Sequence, residues 1–208
     1  LGLVYCFDGK DLKDFVGDLD VLFIRLGYQV DKTFLDNCPR LKYLCSPTTG
    51  QNHIDEEELQ SRGIKLISLR GERDFLESIR ATPEHTFGLI LALLRRYKKA
   101  LIHVDEGEWD RDQLRGEELY GKTVGIIGLG RVGYRVAFYC SAFESNVVFY
   151  DEKSVAAEPD WVKLDSVCEV IRKSQIVVLC ASCSKQETPI ICESQISLLE
   201  GKYFINTA

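Results

Sequence analysis

The chain reads as short apolar runs separated by amphipathic or polar stretches, and the runs fall into two series. The first is GLVYCF, DVLFIRL, KYLCS and IKLISL; the second is TVGIIG, NVVFYD, IVVLCA and YFINTA. Each run is nearly continuous in Val, Ile, Leu, Phe and Cys, as in strands covered on both faces. The stretches between them have helical character: in DEEELQSRG, Asp55 is placed to cap a helix and Gly63 to close it. Strands alternating with helices predict βαβ units and parallel sheets. Between the two series, ATPEHTFGLILALLRRYKK predicts a long buried helix crossing from one lobe to the next. Thr82 suits its N-cap, Pro83 its first helical position, and the basic residues from Arg95 to Lys99 its far end. The polar, acidic stretch HVDEGEWDRDQLRGEELYGK reads as a loop anchored by Trp109. No internal repeat or low-complexity segment is evident.

Composition narrows the classes. A chain of 208 residues has room for two modest lobes, each with a core. Net charge is −6, pI about 5.2, and no Lys/Arg block is present. That argues against a nucleic-acid or anionic-lipid partner. The longest apolar run, Phe87 to Leu94, is too short to span a bilayer, and LGLVYCFDGK lacks the basic n-region of a signal peptide. The sequence contains no methionine, which predicts that it begins inside a longer polypeptide. Eight cysteines are scattered, most of them in apolar runs, as expected of free thiols in a cytoplasmic protein. The close pair Cys180 and Cys183 ends a strand-like run, whereas a redox motif opens a helix. Zinc would need two further ligands that the spacing does not offer. No metal site is expected, and a redox role for CASC ranks behind the readings that follow.

The second series carries the chemistry. In TVGIIGLGRVGYRVAFYCSAFESNVVFYD, Gly128, Gly130 and Gly133 form G-x-G-x-x-G directly after an apolar strand and at the start of a helix. Asp151 ends the next strand about twenty residues on, the context that makes this motif specific for a dinucleotide. Gly128 permits the tight turn, Gly130 lets backbone approach a pyrophosphate, and Gly133 lets helix and strand pack closely. The helix N-terminus offers N–H groups and the positive end of its dipole. Asp151 can accept from both ribose hydroxyls and would repel a 2′-phosphate. This favours NAD over NADP; Glu152 adds to the preference and Lys153 works weakly against it. Ligands on open parallel sheets lie outside the carboxyl ends of the strands. Cys180, Ala181 and Ser182 after the third run, and Thr207 and Ala208 after the fourth, therefore join the coenzyme candidates. In the first series, KYLCS runs into PTTGQNHID. There Thr49, Gly50, Gln51 and Asn52 are candidates for holding a substrate carboxylate on successive backbone N–H groups. The alternative is an ordinary strand-to-helix turn capped by Asp55.

SPTTGQNHID, ATPEHTFGLILALLRR, GKTVGIIGLGRVG and INTA, in this order and spacing, resemble the D-isomer-specific 2-hydroxyacid dehydrogenases, most closely the phosphoglycerate dehydrogenase branch. The resemblance covers nearly the whole chain from about Asp20. It implies an α/β architecture: a Rossmann NAD-binding domain over residues 79–208 and a smaller flavodoxin-like substrate lobe over 1–78, both incomplete. It implies NAD as cofactor, hydride transfer between a 2-hydroxy or 2-keto acid and NAD, and a homodimer through the NAD-binding domains. Thr188 joins the coenzyme candidates, which include Arg131 and Val132 from the span Gly128–Gly133 after the first strand of this series. The family's catalytic arginine follows the segment matching INTA, with its glutamate and histidine further on, so none of the three falls within these 208 residues. His85 and His103 read as structural, whereas His53 lies in the candidate substrate loop. Departures from the family include Cys180 and Ser182, where it often has histidine and proline, and Thr48, where it has glycine. A catalytically silent NAD sensor or scaffold of the same fold is the alternative expectation.

Overall fold

The computed structural model describes residues 16–181 and 189–208. The run GLVYCF and the positions Ser182, Cys183 and Thr188 lie outside the described residues. The chain divides into two compact units, the first ending at Leu76 and the second running Glu77–Ala208.

Among the described residues of the first unit, three parallel strands stand in the order β1 (Val21–Phe23), β2 (Tyr43–Ser46), β3 (Lys65–Ser68). Period-two alternation decides which side is buried. Leu22, Leu44 and Leu66 are register partners and share a core with Leu35 of α1 (Lys32–Leu35) and Leu59 of α2 (Glu56–Ser61). Both helices start from an aspartate: the carboxylate of Asp31 accepts from Phe34 N–H at 2.9 Å and that of Asp55 from Glu58 N–H at 3.0 Å. Gly63, at φ +68°, ends α2 as its position in the sequence predicts. The other face differs from expectation. Phe23 and Ile67, the two register partners of Cys45, are 77% and 49% exposed, whereas Cys45 between them is buried, so this face is covered only in part by the described residues.

The second unit follows a short helix, α3 (Arg73–Glu77). Its five strands are β4 (Thr123–Ile127), β5 (Asn146–Tyr150), β6 (Val162–Lys163), β7 (Ile176–Leu179) and β8 (Tyr203–Asn206). All are parallel, in the order β6-β5-β4-β7-β8. Winding reverses at β4, which creates the crevice where such sheets bind ligands. Alternate residues face two separate cores. Val124, Ile126, Val147, Phe149, Ile176, Val178 and Ile205 meet Ile90 and Leu94 of α4 (Ala81–Leu94) and Val136, Ala137 and Cys140 of α6 (Arg131–Ala142). Ile127, Val148, Val177 and Leu179 meet Val170 and Ile171 of α7 (Val167–Lys173) and Leu198 of α8 (Glu193–Leu198). Coverage on both faces explains why these strands carry continuous apolar runs.

The segment between the two series departs from its sequence reading. Helix α4 starts after Arg80 and has no side-chain cap, so Thr82 and Pro83 lie inside its first turn. Arg96 is left-handed at φ 54° and breaks the helix; Lys98 and Lys99 then open a second helix, α5 (Tyr97–Asp105), instead of closing the first. His103 lies in the last turn of α5, with its Nδ1 3.1 Å from Glu108 Oε2. Trp109 is 90% exposed and anchors nothing among the described residues.

Candidate functional site

The glycine turn begins where β4 ends. Gly128 has φ +91°, a conformation that only glycine adopts without strain, and its N–H donates to Tyr150 O at 2.9 Å. A Cβ added to Gly128 would lie 2.6 Å from Ala181, just past the tip of β7. A Cβ on Gly133 would lie 2.0 Å from the Gly128 carbonyl, so α6 is seated directly on the turn. A Cβ on Gly130 would meet nothing within 4 Å. Two of the three glycines are therefore required by packing, and the third faces open space. Gly130 is also the residue from which α6 starts, and no side chain caps that end. The N–H groups of a helix's first turn have no intrahelical partners. Together these features leave backbone N–H groups beside open space, the arrangement an anion cradle requires.

Asp151, directly after β5, closes the cradle from the side. One carboxylate oxygen accepts from the Leu129 N–H at 2.8 Å and the other from the Lys153 N–H at 2.9 Å. A carboxylate offers about four acceptor positions, so about two remain for the vicinal hydroxyls of a ribose. The spacing of Asp151 from the glycines is legible in the sequence; its bond to Leu129 is not, because the intervening position of G-x-G contributes only backbone. The carbonyls of Tyr150 and Ile79 escape sequence reading for the same reason. Arg131 sends its Nη1 to the Ile79 carbonyl at 3.2 Å. Val132 packs its side chain against the α4–α6 core, leaving its backbone for any ligand.

The tips of β7 and β8 meet beside the turn. Cys180 N–H donates to Ile127 O at 2.8 Å, Thr207 N–H donates to Leu179 O at 3.1 Å, and the Cys180 sulfur lies 3.8 Å from the Thr207 hydroxyl. Burial pushes the Cys180 thiol up to about 11, with the Thr207 hydroxyl acting weakly the other way. Among the described residues all cysteines are free thiols, Cys180 included. Ala208 donates its N–H to the Asn206 side chain at 3.1 Å. Gly128, Gly130, Gly133, Asp151, Cys180, Ala181, Thr207 and Ala208 thus cluster at the carboxyl ends of four adjacent strands.

Thr49, Gly50, Gln51 and Asn52 belong to the first unit, between β2 and α2. The Ser46 and Thr48 hydroxyls are 2.8 Å apart, and Thr48 donates to Gly50 O at 2.8 Å. Gln51 is 4% exposed and turns its amide inward to the Ser68 hydroxyl. No acceptor among the described residues takes the backbone N–H of Thr49, Gly50 or Gln51. The loop combines an Asp55-capped turn with backbone donors in reserve. His53 is 7% exposed, so its ring is a buried group of this unit.

Residues 87–208 match the family model "D-isomer specific 2-hydroxyacid dehydrogenase, NAD binding domain", and residues 6–75 match the catalytic-domain model of the same family. The chain is 31% identical over 199 residues to D-3-phosphoglycerate dehydrogenase of Methanocaldococcus jannaschii, covering 94% of this chain and 37% of that protein. It is 32% identical over 200 residues to glyoxylate reductase of Pyrococcus furiosus, covering 92% and 58%. Among solved structures it superposes on D-lactate dehydrogenase from Aquifex aeolicus, complexed with NAD and lactic acid. The TM-score is 0.77, the sequence identity 30%, and the match covers 94% of this chain and 58% of that one. The chain therefore spans only part of the length of each relative. The glycine turn, the acidic strand tip, the winding of the five-stranded sheet and the two family matches lead to one assignment: this chain belongs to the D-isomer-specific 2-hydroxyacid dehydrogenase family, and its second unit carries that family's Rossmann NAD-binding fold.

Proposed function

We propose that the protein is an NAD-dependent oxidoreductase that interconverts a 2-hydroxy acid and a 2-keto acid, with the second unit binding the coenzyme and the first contributing to the acid's site. NAD, when bound, supplies the hydride acceptor. The chain's own residues hold and orient it. Backbone N–H groups of Gly130, Arg131, Val132 and Gly133 face the pyrophosphate across the side-chain-free surface of Gly130. Asp151 accepts from the ribose hydroxyls and disfavours a 2′-phosphate. Cys180, Ala181, Thr207 and Ala208 line the nicotinamide end; Ser182 and Thr188, outside the described residues, are candidates from the sequence alone. The Cys180 thiol, held neutral, adds no thiolate nucleophile beside the ring. Thr49, Gly50, Gln51 and Asn52 take the substrate carboxylate on backbone donors.

The protein works as a cytoplasmic homodimer. The free thiols among the described residues support a reducing compartment. No helix among the described residues is long and apolar enough to cross a membrane. Support for the dimer comes from α4 and α5, where Leu93, Tyr97, Leu101, Ile102 and Val104 are all exposed. Such a row of apolar side chains is what a second copy would cover.

The observation that carries this reading is Asp151 bonded to the glycine turn while it retains acceptor positions. Titration calorimetry tests it. NAD should bind and NADP should bind at least about tenfold more weakly, a difference of about 1.4 kcal/mol. A well-folded chain that gives no heat with either coenzyme would end the proposal.

A further inference from the structure

Away from the strand tips, the second unit holds two thiols on either side of one side chain. Cys168 lies in the first turn of α7, and Cys192 is the residue from which α8 starts. Gln195 reaches both: its Oε1 accepts from the Cys192 thiol at 2.6 Å and its Nε2 donates to the Cys168 sulfur at 3.5 Å. A single carboxamide separates the sulfurs. The two helices pack against each other, so the pairing does not depend on one mobile loop.

These thiols differ from the others in the described structure. Cys38, Cys45 and Cys140 are buried, Cys168 is half-buried and Cys192 is exposed. The Ser194 hydroxyl, 3.3 Å from the Cys192 sulfur, is the main cause holding that thiol below its ordinary value, aided by backbone N–H groups. Burial pushes Cys38, Cys45, Cys140 and Cys180 the other way. Reactivity toward oxidants follows thiolate content and access, and both single out Cys192.

We infer that Cys168 and Cys192 form a reversible dithiol–disulfide pair, oxidised by hydroperoxides, with Cys192 as the attacking thiol and Cys168 as the resolving one. The Cys192 thiolate attacks one oxygen of hydrogen peroxide. The O–O bond breaks, and the departing hydroxide takes up a proton to become water, leaving a sulfenic acid on Cys192. Gln195 then swings aside, and the Cys168 sulfur attacks the sulfenic sulfur, displacing a second water as the S–O bond breaks. Two thiols lose two electrons and two protons, and the peroxide is reduced to two waters. The resulting bond closes a loop that contains all of β7 and the segment leading to α8.

Peptide mapping tests this directly, because trypsin leaves Cys168 on peptide 164–172, Cys192 on 186–202, and Cys180 with Cys183 on 174–185. The native 208-residue chain is treated with hydrogen peroxide, its remaining thiols are blocked with N-ethylmaleimide, and the digest is analysed by mass spectrometry. The expected product joins 164–172 to 186–202, is separated by dithiothreitol, and is absent from Cys168→Ser and Cys192→Ser. Gln195→Ala should form it faster, since the intervening amide is gone. Three results overturn the inference: Cys192 joined to the 174–185 peptide, Cys192 carried on to sulfinic acid with no cross-link, or Cys192 no more reactive than Cys180.

Discussion

Three glycines of one motif meet three different surroundings, so single substitutions should divide them. Gly133→Ala places a methyl against the Gly128 carbonyl, with no flexible atom to give way. Overpacking of this kind costs about 1–3 kcal/mol, visible as a lower urea midpoint. Gly130→Ala meets no neighbour, so its midpoint should stay within about 0.5 kcal/mol of the parent while NAD affinity falls at least about tenfold. If Gly130→Ala binds NAD as the parent does, the pyrophosphate does not cross that residue. Asp151→Ala leaves the Leu129 and Lys153 N–H groups without their acceptor. It should lose both coenzyme affinity and about 1 kcal/mol of stability, the second measurable without any coenzyme. The spacing of these residues is legible in the letters; the role of Asp151 as a clasp on the turn is not, because its partners are main-chain groups.

The buried thiols give a pH dependence whose sign follows from burial. Cys140 is pushed up to about 12 and Cys180 up to about 11, from an ordinary value of 9.0. Above that ordinary value the unfolded chain releases these protons while the folded chain keeps them. The stabilisation is fully present below about pH 9 and is lost as pH rises toward the folded values. Urea midpoints should fall between about pH 8 and about pH 10.5, and less steeply in Cys140→Ala. An identical slope in that variant would remove Cys140 from the account.

At the scale of elements, the sequence reveals strands better than helix ends. Every run of the two strand-like series that falls within the described residues became a strand, because burial selects the same residues that the pattern displays. The α4–α5 stretch shows the limit. Thr82–Pro83 has the chemistry of a helix start, yet packing of Pro83, Thr86, Ile90 and Leu94 draws the helix back to Ala81. Nothing in RRYKK marks Arg96 as the left-handed residue that splits one expected helix into two. The split exposes Leu101 at 64% and Ile102 at 45%. Leu101→Glu should leave the fold intact by circular dichroism and shift sedimentation from dimer to monomer. A parent chain that already sediments as a monomer would remove the dimer reading. Helix caps are the opposite case: Asp55 is legible as a cap and bonded as one, so Asp55→Ala should cost about 1 kcal/mol in thermal or urea unfolding.

At the scale of the molecule, the doubly wound sheet was legible because its strands are apolar throughout, and β6 was not, because two residues make no pattern. The exposure of Phe23 and Ile67 in the first unit's sheet was equally hidden, because they spell the same letters as buried residues. Strand β8 stands at the end of the five-stranded order, bonded to β7 on one side through the N–H groups of Tyr203 and Thr207. Alternation turns the amides of Phe204 and Asn206 outward, where they should exchange with deuterium faster than their neighbours. Among the described residues no strand pairs with the far side of β8, and an apolar strand with unpaired amides is a template on which further chains can stack. Concentrated stocks of this polypeptide should therefore thicken into thioflavin-positive fibres, seeded from its last strand and slowed by a lysine at position 206.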